Sequence, residues 1–342
     1  MTITLLLAVV MVGSLVLYVL LGGADYGAGI WDLLSGGPLK EEQKNLIANA
    51  IRPIWEANHV WLILILVLLF AGFPRAFGAI MIALYVPIVL MVLGIVLRGS
   101  SFVFRAYSTV NSEMQRTCAY VFSASSSLTP IFAGIVLASL SDDHVVVAGD
   151  ESLNGYVFSW LNPFSLCVGL FTLALFAYLA ATYLTFEAPS QKLREALRQR
   201  AFAAGLITAC FAVGSFVLTE WYARGLRDGL LHSGFAICAE TASVVSLIVG
   251  ELAIYRNRVG RARWMAAIFA ASAVIGWASA QYPYLSRPYL TITNSVLSEN
   301  VVRDVFLASI AGAVLLFPSL GLLLYVFKDQ RRQRTIAASQ KM

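Results

Sequence analysis

Apolar residues run along this chain in long blocks separated by short polar dips. Nine blocks approach the ~20 residues that a helix needs to cross a bilayer: 4–24, 51–73, 76–98, 116–140, 162–186, 200–221, 231–254, 262–281 and 305–327. The pattern predicts an all-α integral membrane protein with nine transmembrane helices, residues 1–342 forming a single membrane domain. No dip is long enough to hold a soluble domain. The first block has no basic residue before it and exceeds the ~7–15 apolar residues of a signal peptide, so it is read as a retained helix. Pro87, Pro130 and Pro318 fall inside predicted spans and are expected to kink them. The polar run Ser123 to Pro130 is expected to face protein rather than lipid, its hydroxyls serving carbonyls that Pro130 frees.

Composition agrees with that pattern. Of 342 residues 59% are hydrophobic and 13% charged, about half the charge of a soluble domain. A soluble enzyme, a disulfide scaffold and a disordered chain are excluded. Nine spans place the termini on opposite sides. With the N-terminus outside and the C-terminus cytoplasmic, nineteen of the 24 Lys and Arg fall on the inner side and five on the outer, a strong positive-inside bias. The net charge of +5 is thereby explained by topology and requires no nucleic-acid partner. Cys118, Cys167, Cys210 and Cys238 stand singly in apolar blocks with no C-x-x-C spacing, which reads as small apolar packing rather than metal binding.

Ionisable groups within spans are costly unless paired or hydrated, so each is a functional candidate. Asp25 follows Gly22-Gly23-Ala24 at the inner end of the first span. It is either a wet carboxylate at a packed helix end or one held at a proton or ligand inlet. Glu56 lies in Arg52-Pro53-Ile54-Trp55-Glu56-Ala57-Asn58-His59. Pro53 can open a helix there, with Glu56 in the first turn where the dipole favours an anion; the other reading is a buried acid that exchanges protons. Glu56 and His59 have Glu-x-x-His spacing, but the second such pair and further glutamates that a di-iron site needs are missing, and no metal site is expected. Arg98 is placed at the cytoplasmic end of span three, as a snorkelling cation or as partner to Asp25 and Glu56 in a hydrated cluster. Glu240 lies about ten residues from the outer end of span seven. It is either protonated, hydrogen-bonded to Thr or Ser, or paired with another chain. Glu220 and Glu251, near span ends, are expected to be wet.

Three segments carry a family resemblance: Gly22–Leu34 (GGADYGAGIWDLL), Arg52–Trp61 (RPIWEANHVW) and Gly276–Thr293 (GWASAQYPYLSRPYLTIT). Together they resemble subunit II of the cytochrome bd-type quinol oxidases, and the likeness covers the whole chain in length, span count and motif order. It implies a subunit of a terminal oxidase in the prokaryotic cell (inner) membrane. Such complexes oxidise quinol, reduce O2 to water and draw protons from the cytoplasm, generating a proton-motive force. It also implies two four-helix bundles plus one peripheral helix. The haems (b and d, or b only) and the main quinol site belong to the partner, subunit I, and a small accessory subunit is compatible. No catalytic residue is expected on this chain. Glu56 matches the acidic position of W-[DE]-x-N-x-V-W, associated with a proton path. Trp61 matches its second tryptophan, near an O2 access route. Asp25 and Arg98 match positions near the path, and Trp55 and Arg98 match contacts of a structural quinone. Glu stands at 56 where other members have Asp, and His59 stands where some have Glu; both leave the detailed proton route open. No role is carried over to Glu240. Polar spans, intramembrane carboxylates and prolines are equally features of a secondary transporter, the alternative reading.

Overall fold

The computed structural model describes residues 2–51, 55–107, 113–144 and 159–339; side chains at 55–57, 105–107 and 323–339 lie outside the description. Eight described helices are long and apolar enough to cross a membrane, and nine if one bent pair counts as a span. The first span joins α1 (Ile3–Leu17), a π turn (Tyr18–Gly22) and α2 (Gly23–Leu33) into a single 31-residue rod. A polar helix, α3 (Lys40–Ile51), follows. Next come α4 (Trp55–Gly72), α5 (Pro74–Ala83) and α6 (Tyr85–Tyr107). After α7 (Glu113–Ser139), the spans α8 (Pro163–Glu187) and α9 (Gln191–Tyr222) lead to the short α10 (Arg224–His232). The chain ends with α11 (Gly234–Tyr255), α12 (Val259–Gln281) and α13 (Glu299–Ser339). Between α12 and α13 lies a small antiparallel hairpin, β1 (Tyr284–Ser286) with β2 (Leu290–Thr291).

The third predicted span is corrected. Residues 76–98 do not form one helix. The chain bends by 117° between Asn58–Gly72 and Pro74–Ala83, and the next span runs from Tyr85. Pro74 opens α5 after Phe73 leaves the helical region (φ −129, ψ 56). A proline at a first helical position loses no hydrogen bond. The α5 face Ala76, Ile80 and Ala83 is buried, in one cluster with Leu7, Trp160, Ile292 and Val302. A hydropathy window does not register such a bend, because α5 and α6 are apolar without interruption. Two further expectations change with it. Pro87 falls in the first turn of α6, where it is tolerated, and Arg98 moves from the end of a span to the middle of α6.

Packing follows the small residues. α2 lies between α7 and α8, while α6 packs on α7, α8 on α9 and α11 on α12. A Cβ at Gly27 would strike the Phe176 carbonyl of α8, and one at Gly29 would strike Ser126 Oγ of α7. Gly27 lets α2 come within backbone reach of α8, and Gly29 makes room for the Ser126 side chain of α7. The Trp31 indole N–H donates to the Ala177 carbonyl at 2.8 Å, fixing the register of α2 on α8. The predicted polar run of α7 is buried at Ser123, Ser125, Ser126, Thr129 and Pro130. Its hydroxyls bond carbonyls one turn back, as in Ser126 Oγ to Phe122 at 2.6 Å and Thr129 Oγ1 to Ser125 at 2.7 Å. α13 packs chiefly on α1 and α4, with Leu307, Val314, Leu315 and Phe317 exposed as a lipid-facing helix requires.

The face bearing the N-terminus is tied together by loop contacts. The Arg75 N–H donates to Ser295, Asp143 to Tyr222 and Arg287 to the Leu140 carbonyl. Asp142, fully buried there, accepts from Asn162 Nδ2 at 2.6 Å and the His144 N–H at 2.9 Å. Burial nevertheless pushes its carboxyl above the ordinary value. On the opposite face, Arg200 donates to Gln43 Oε1 at 2.8 Å, and Gln43 Nε2 donates to the Trp31 carbonyl at 2.6 Å. Those contacts hold α3 and α9 against the end of α2.

Candidate functional site: a buried ion pair between the first, third and fourth spans

The polar centre of the molecule is built on α2, α6 and α7. Arg98 Nη2 lies 2.9 Å from Asp25 Oδ1, with side-chain exposures of 1% and 3%. Nη2 also donates to the Asp25 carbonyl at 3.3 Å, and Nε donates to Ser126 Oγ at 3.0 Å. The guanidinium is stacked between rings, 4.7 Å from the Tyr26 centroid and 5.0 Å from that of Phe122. Asp25 Oδ2 is enclosed and accepts no hydrogen bond among the described residues. One turn before Asp25, the π turn shifts the helix register, with the Gly23 N–H reaching the Tyr18 carbonyl. Such bulges often mark functional positions. The neighbouring Tyr26 OH lies 3.3 Å from His59 Nε2 of α4, joining the pair to the helix that bears the Trp-Glu-x-Asn-His motif.

Arg98 and Asp25 are therefore brought into direct contact. Glu56 and Trp55 belong to α4, but their side chains lie outside the described residues. Trp61 is buried, its ring 5.9 Å from Phe317 of α13, and its indole N–H has no hydrogen-bond partner among the described residues. Tyr26, Phe122, Asp25 and Ser126 surround the Arg98 guanidinium. Glu240 stands six residues into α11 rather than ten, packed against Gly276 of α12. The expectation for Glu251 is corrected. Both its carboxyl oxygens are enclosed without a hydrogen-bond partner among the described residues, as is the Tyr178 hydroxyl, because Gly205 lets α9 close over them. Glu220 is half-exposed and paired with Arg227 at 3.0 Å.

Sequence reasoning missed Ser126, Tyr26 and Asp32. Asp32 is buried in the last turn of α2, with Ser123 Oγ donating to its Oδ2 at 3.3 Å. The available signal was the spacing of Asp25 and Asp32, seven residues apart, which sets both on one face of α2.

The chain matches the family model described as "Cytochrome bd terminal oxidase subunit II" over residues 3–327. A Bacillus subtilis protein provisionally named cytochrome bd menaquinol oxidase subunit II is 25% identical over 336 residues, 94% of each chain. The Escherichia coli cytochrome bd-I ubiquinol oxidase subunit 2 is 26% identical over 234 residues, covering 67% of this chain and 58% of that one. In fold the chain is similar to a chain of the bd oxidase structure from Geobacillus thermodenitrificans, with a TM-score of 0.78, 24% identity, and coverage of 96% of this chain and 99% of the other. A family match across nearly the whole chain, joined to eight or nine apolar spans, leads to one assignment: this chain belongs to the cytochrome bd terminal oxidase subunit II family and is a multi-pass prokaryotic membrane subunit of a quinol:O2 oxidoreductase.

Proposed function

We propose that this chain serves a haem-bearing subunit I as a scaffold and as the bearer of a proton path from the cytoplasm, through Glu56, Asp25 and Arg98. The observation that carries this reading is the enclosed Asp25–Arg98 pair at 2.9 Å. An ion pair away from water is weak support for stability alone, and an intramembrane acid with an unused oxygen is a place where a proton can reside. In this reading Glu56 collects protons on α4, Tyr26 and His59 connect α4 to α2, and Asp25 passes them toward the partner. Arg98 is the counter-charge that touches Asp25. The haems, b and d or b only, would supply the oxygen chemistry on subunit I. Residues of this chain hold and move protons. Trp61, packed on Phe317, is the residue proposed to lie beside an O2 access route. A small accessory subunit is compatible with the exposed apolar faces.

The path runs inward from the cytoplasm if the face bearing the N-terminus is outside. With Arg98 set aside as an intramembrane residue, eighteen Lys and Arg lie on the opposite side against five. A secondary transporter is not favoured by the family assignment. The test is made on the assembled complex, isolated through this chain and identified by its haem absorption bands. Glu56→Gln and Asp25→Asn are expected to slow quinol-driven oxygen consumption by about 100-fold, the lower end of what a positioned proton-transfer group contributes, with haem content unchanged. Wild-type oxygen consumption in both variants would overturn the proton path.

A further inference from the structure

We propose that Glu251 and Tyr178 form a separate proton-holding site, in which one water carrying a proton lies between the carboxyl and the phenol. The site stands where α8, α9, α11 and α12 meet. It shares no residue with the Asp25–Arg98 pair and does not rest on the proton-path reading above. Both oxygens of the Glu251 carboxyl and the Tyr178 hydroxyl are enclosed without a hydrogen-bond partner among the described residues. The two groups face one space. A Cβ at Gly205 would strike Glu251 Oε1 and lie 3.0 Å from the Tyr178 ring, and a Cβ at Gly250 would lie 2.8 Å from the Tyr178 hydroxyl. Tyr178 is 0% exposed, and its ring packs edge-on against Phe269 of α12, centroids 6.2 Å apart.

Packing alone does not account for this arrangement. Glycine inside a helix costs about 1 kcal/mol relative to alanine, and Gly205 stands within the 32-residue α9, where an alanine would take the space that the carboxyl fills. An apolar side chain at 251 would leave no polar atom to satisfy. The hydroxyls further along α8 are engaged with their own helix, Thr182 donating to the Tyr178 carbonyl at 2.8 Å and Thr185 to Ala181 at 2.6 Å. The cations of the surrounding helices are turned elsewhere. Arg198 of α9 donates to Glu195 and to the Ile254 and Tyr255 carbonyls, and Arg263 of α12 stacks on Tyr183 and Phe186. Glu251 is in no ion pair among the described residues. An acid enclosed within a span needs a positive partner, and a proton takes the least room. A single water then serves both groups, donating to the carboxyl and accepting from the phenol, because a buried water makes about two to four hydrogen bonds. Access is from the end proposed to be cytoplasmic, where a cleft lined by Thr182, Arg198, Ala201 and Ile254 lies between the same helices. Thr182 and Ala201 stand four residues from Tyr178 and Gly205, about 6 Å along each helix.

The experiment is infrared spectroscopy of the assembled oxidase, wild type beside Glu251→Gln, Tyr178→Phe and Glu56→Gln, in H2O and in D2O. A carboxylic-acid C=O band is expected in the wild type, lost in Glu251→Gln and moved to lower frequency in D2O, because the acid hydrogen exchanges. Tyr178→Phe should shift the same band without removing it, since the water loses one of its partners. Glu56→Gln should leave the band unchanged whether or not oxygen consumption slows, so failure of the proton path and failure of this site are distinguishable. If no acid band is lost in Glu251→Gln, the site holds no proton and the proposal is overturned. A band lost there but unmoved by Tyr178→Phe overturns the shared water. Should Glu251→Gln fail to assemble, Tyr178→Phe decides: a shifted acid band sustains the site, and a wild-type spectrum overturns it.

Discussion

A guanidinium enclosed within the membrane requires an anion beside it, and Asp25 is the one that touches Arg98. Removing one partner of a buried pair typically costs about 3–5 kcal/mol, whereas replacing both by apolar residues of similar size is often neutral. Asp25→Ala should therefore lower the apparent melting temperature of the purified complex markedly. Asp25→Leu combined with Arg98→Met should recover most of that loss. Proton transfer needs the carboxyl, so the double variant should regain stability without regaining oxygen consumption. Recovery of both would make the pair purely structural. The partnership was partly legible in the sequence, because few ionisable groups fall within apolar blocks and each must find company. Ser126 and the rings of Tyr26 and Phe122 were not legible, since a serine on a helix reveals nothing about which neighbour faces it. Glu251 shows the same limit. Its place near a span end suggested water, but Gly205 on another helix lets α9 close over it.

At the level of helices, close approach of α2 to α7 and α8 builds the site, and glycine makes it feasible. An alanine at 27 would collide with the Phe176 main chain and approach the Ala180 Cβ to 2.7 Å. Main chain cannot move aside, so α2 would have to retreat and the Trp31 bond to the Ala177 carbonyl would stretch. Gly27→Ala should cost about 1–3 kcal/mol by overpacking. Gly13 is a fitting control, because nothing lies within 4 Å of an added Cβ there, and alanine is the better helix former by roughly 1 kcal/mol. Thermal melting of the complex should separate the two variants, with Gly13→Ala no less stable than wild type. Equal melting would show that α2 is not held at backbone distance. The sequence revealed most of the spans, with several boundaries differing by a turn or more, because a lipid-facing helix must be apolar over a fixed length. It did not reveal the bend at Phe73-Pro74, since α5 buries its apolar face in protein while a bilayer span presents a similar composition to lipid. The π turn at Tyr18–Gly22 was equally invisible: the side chains that accommodate it come from distant helices.

For the whole molecule the decisive property is direction. A proton path contributes to a membrane potential only if its mouth opens to the cytoplasm, so sidedness and function stand or fall together. In the orientation proposed from the Lys and Arg distribution, the end of α2, with Asp32, Gln43 and Arg200, lies on the cytoplasmic side, and the β hairpin with Arg75 and Arg287 on the outer side. Two exposed asparagines report on this separately: Asn294 beside the hairpin and Asn257 in the turn between α11 and α12. A cysteine placed at 294 should react with a membrane-impermeant maleimide in intact spheroplasts, whereas one at 257 should react only after the membrane is opened. The opposite pattern would turn the path around, so that Asp32 faced the outside and oxygen reduction consumed protons from there. The proposed conservation of energy through this chain would then be lost, although the buried pair and its packing would be unchanged.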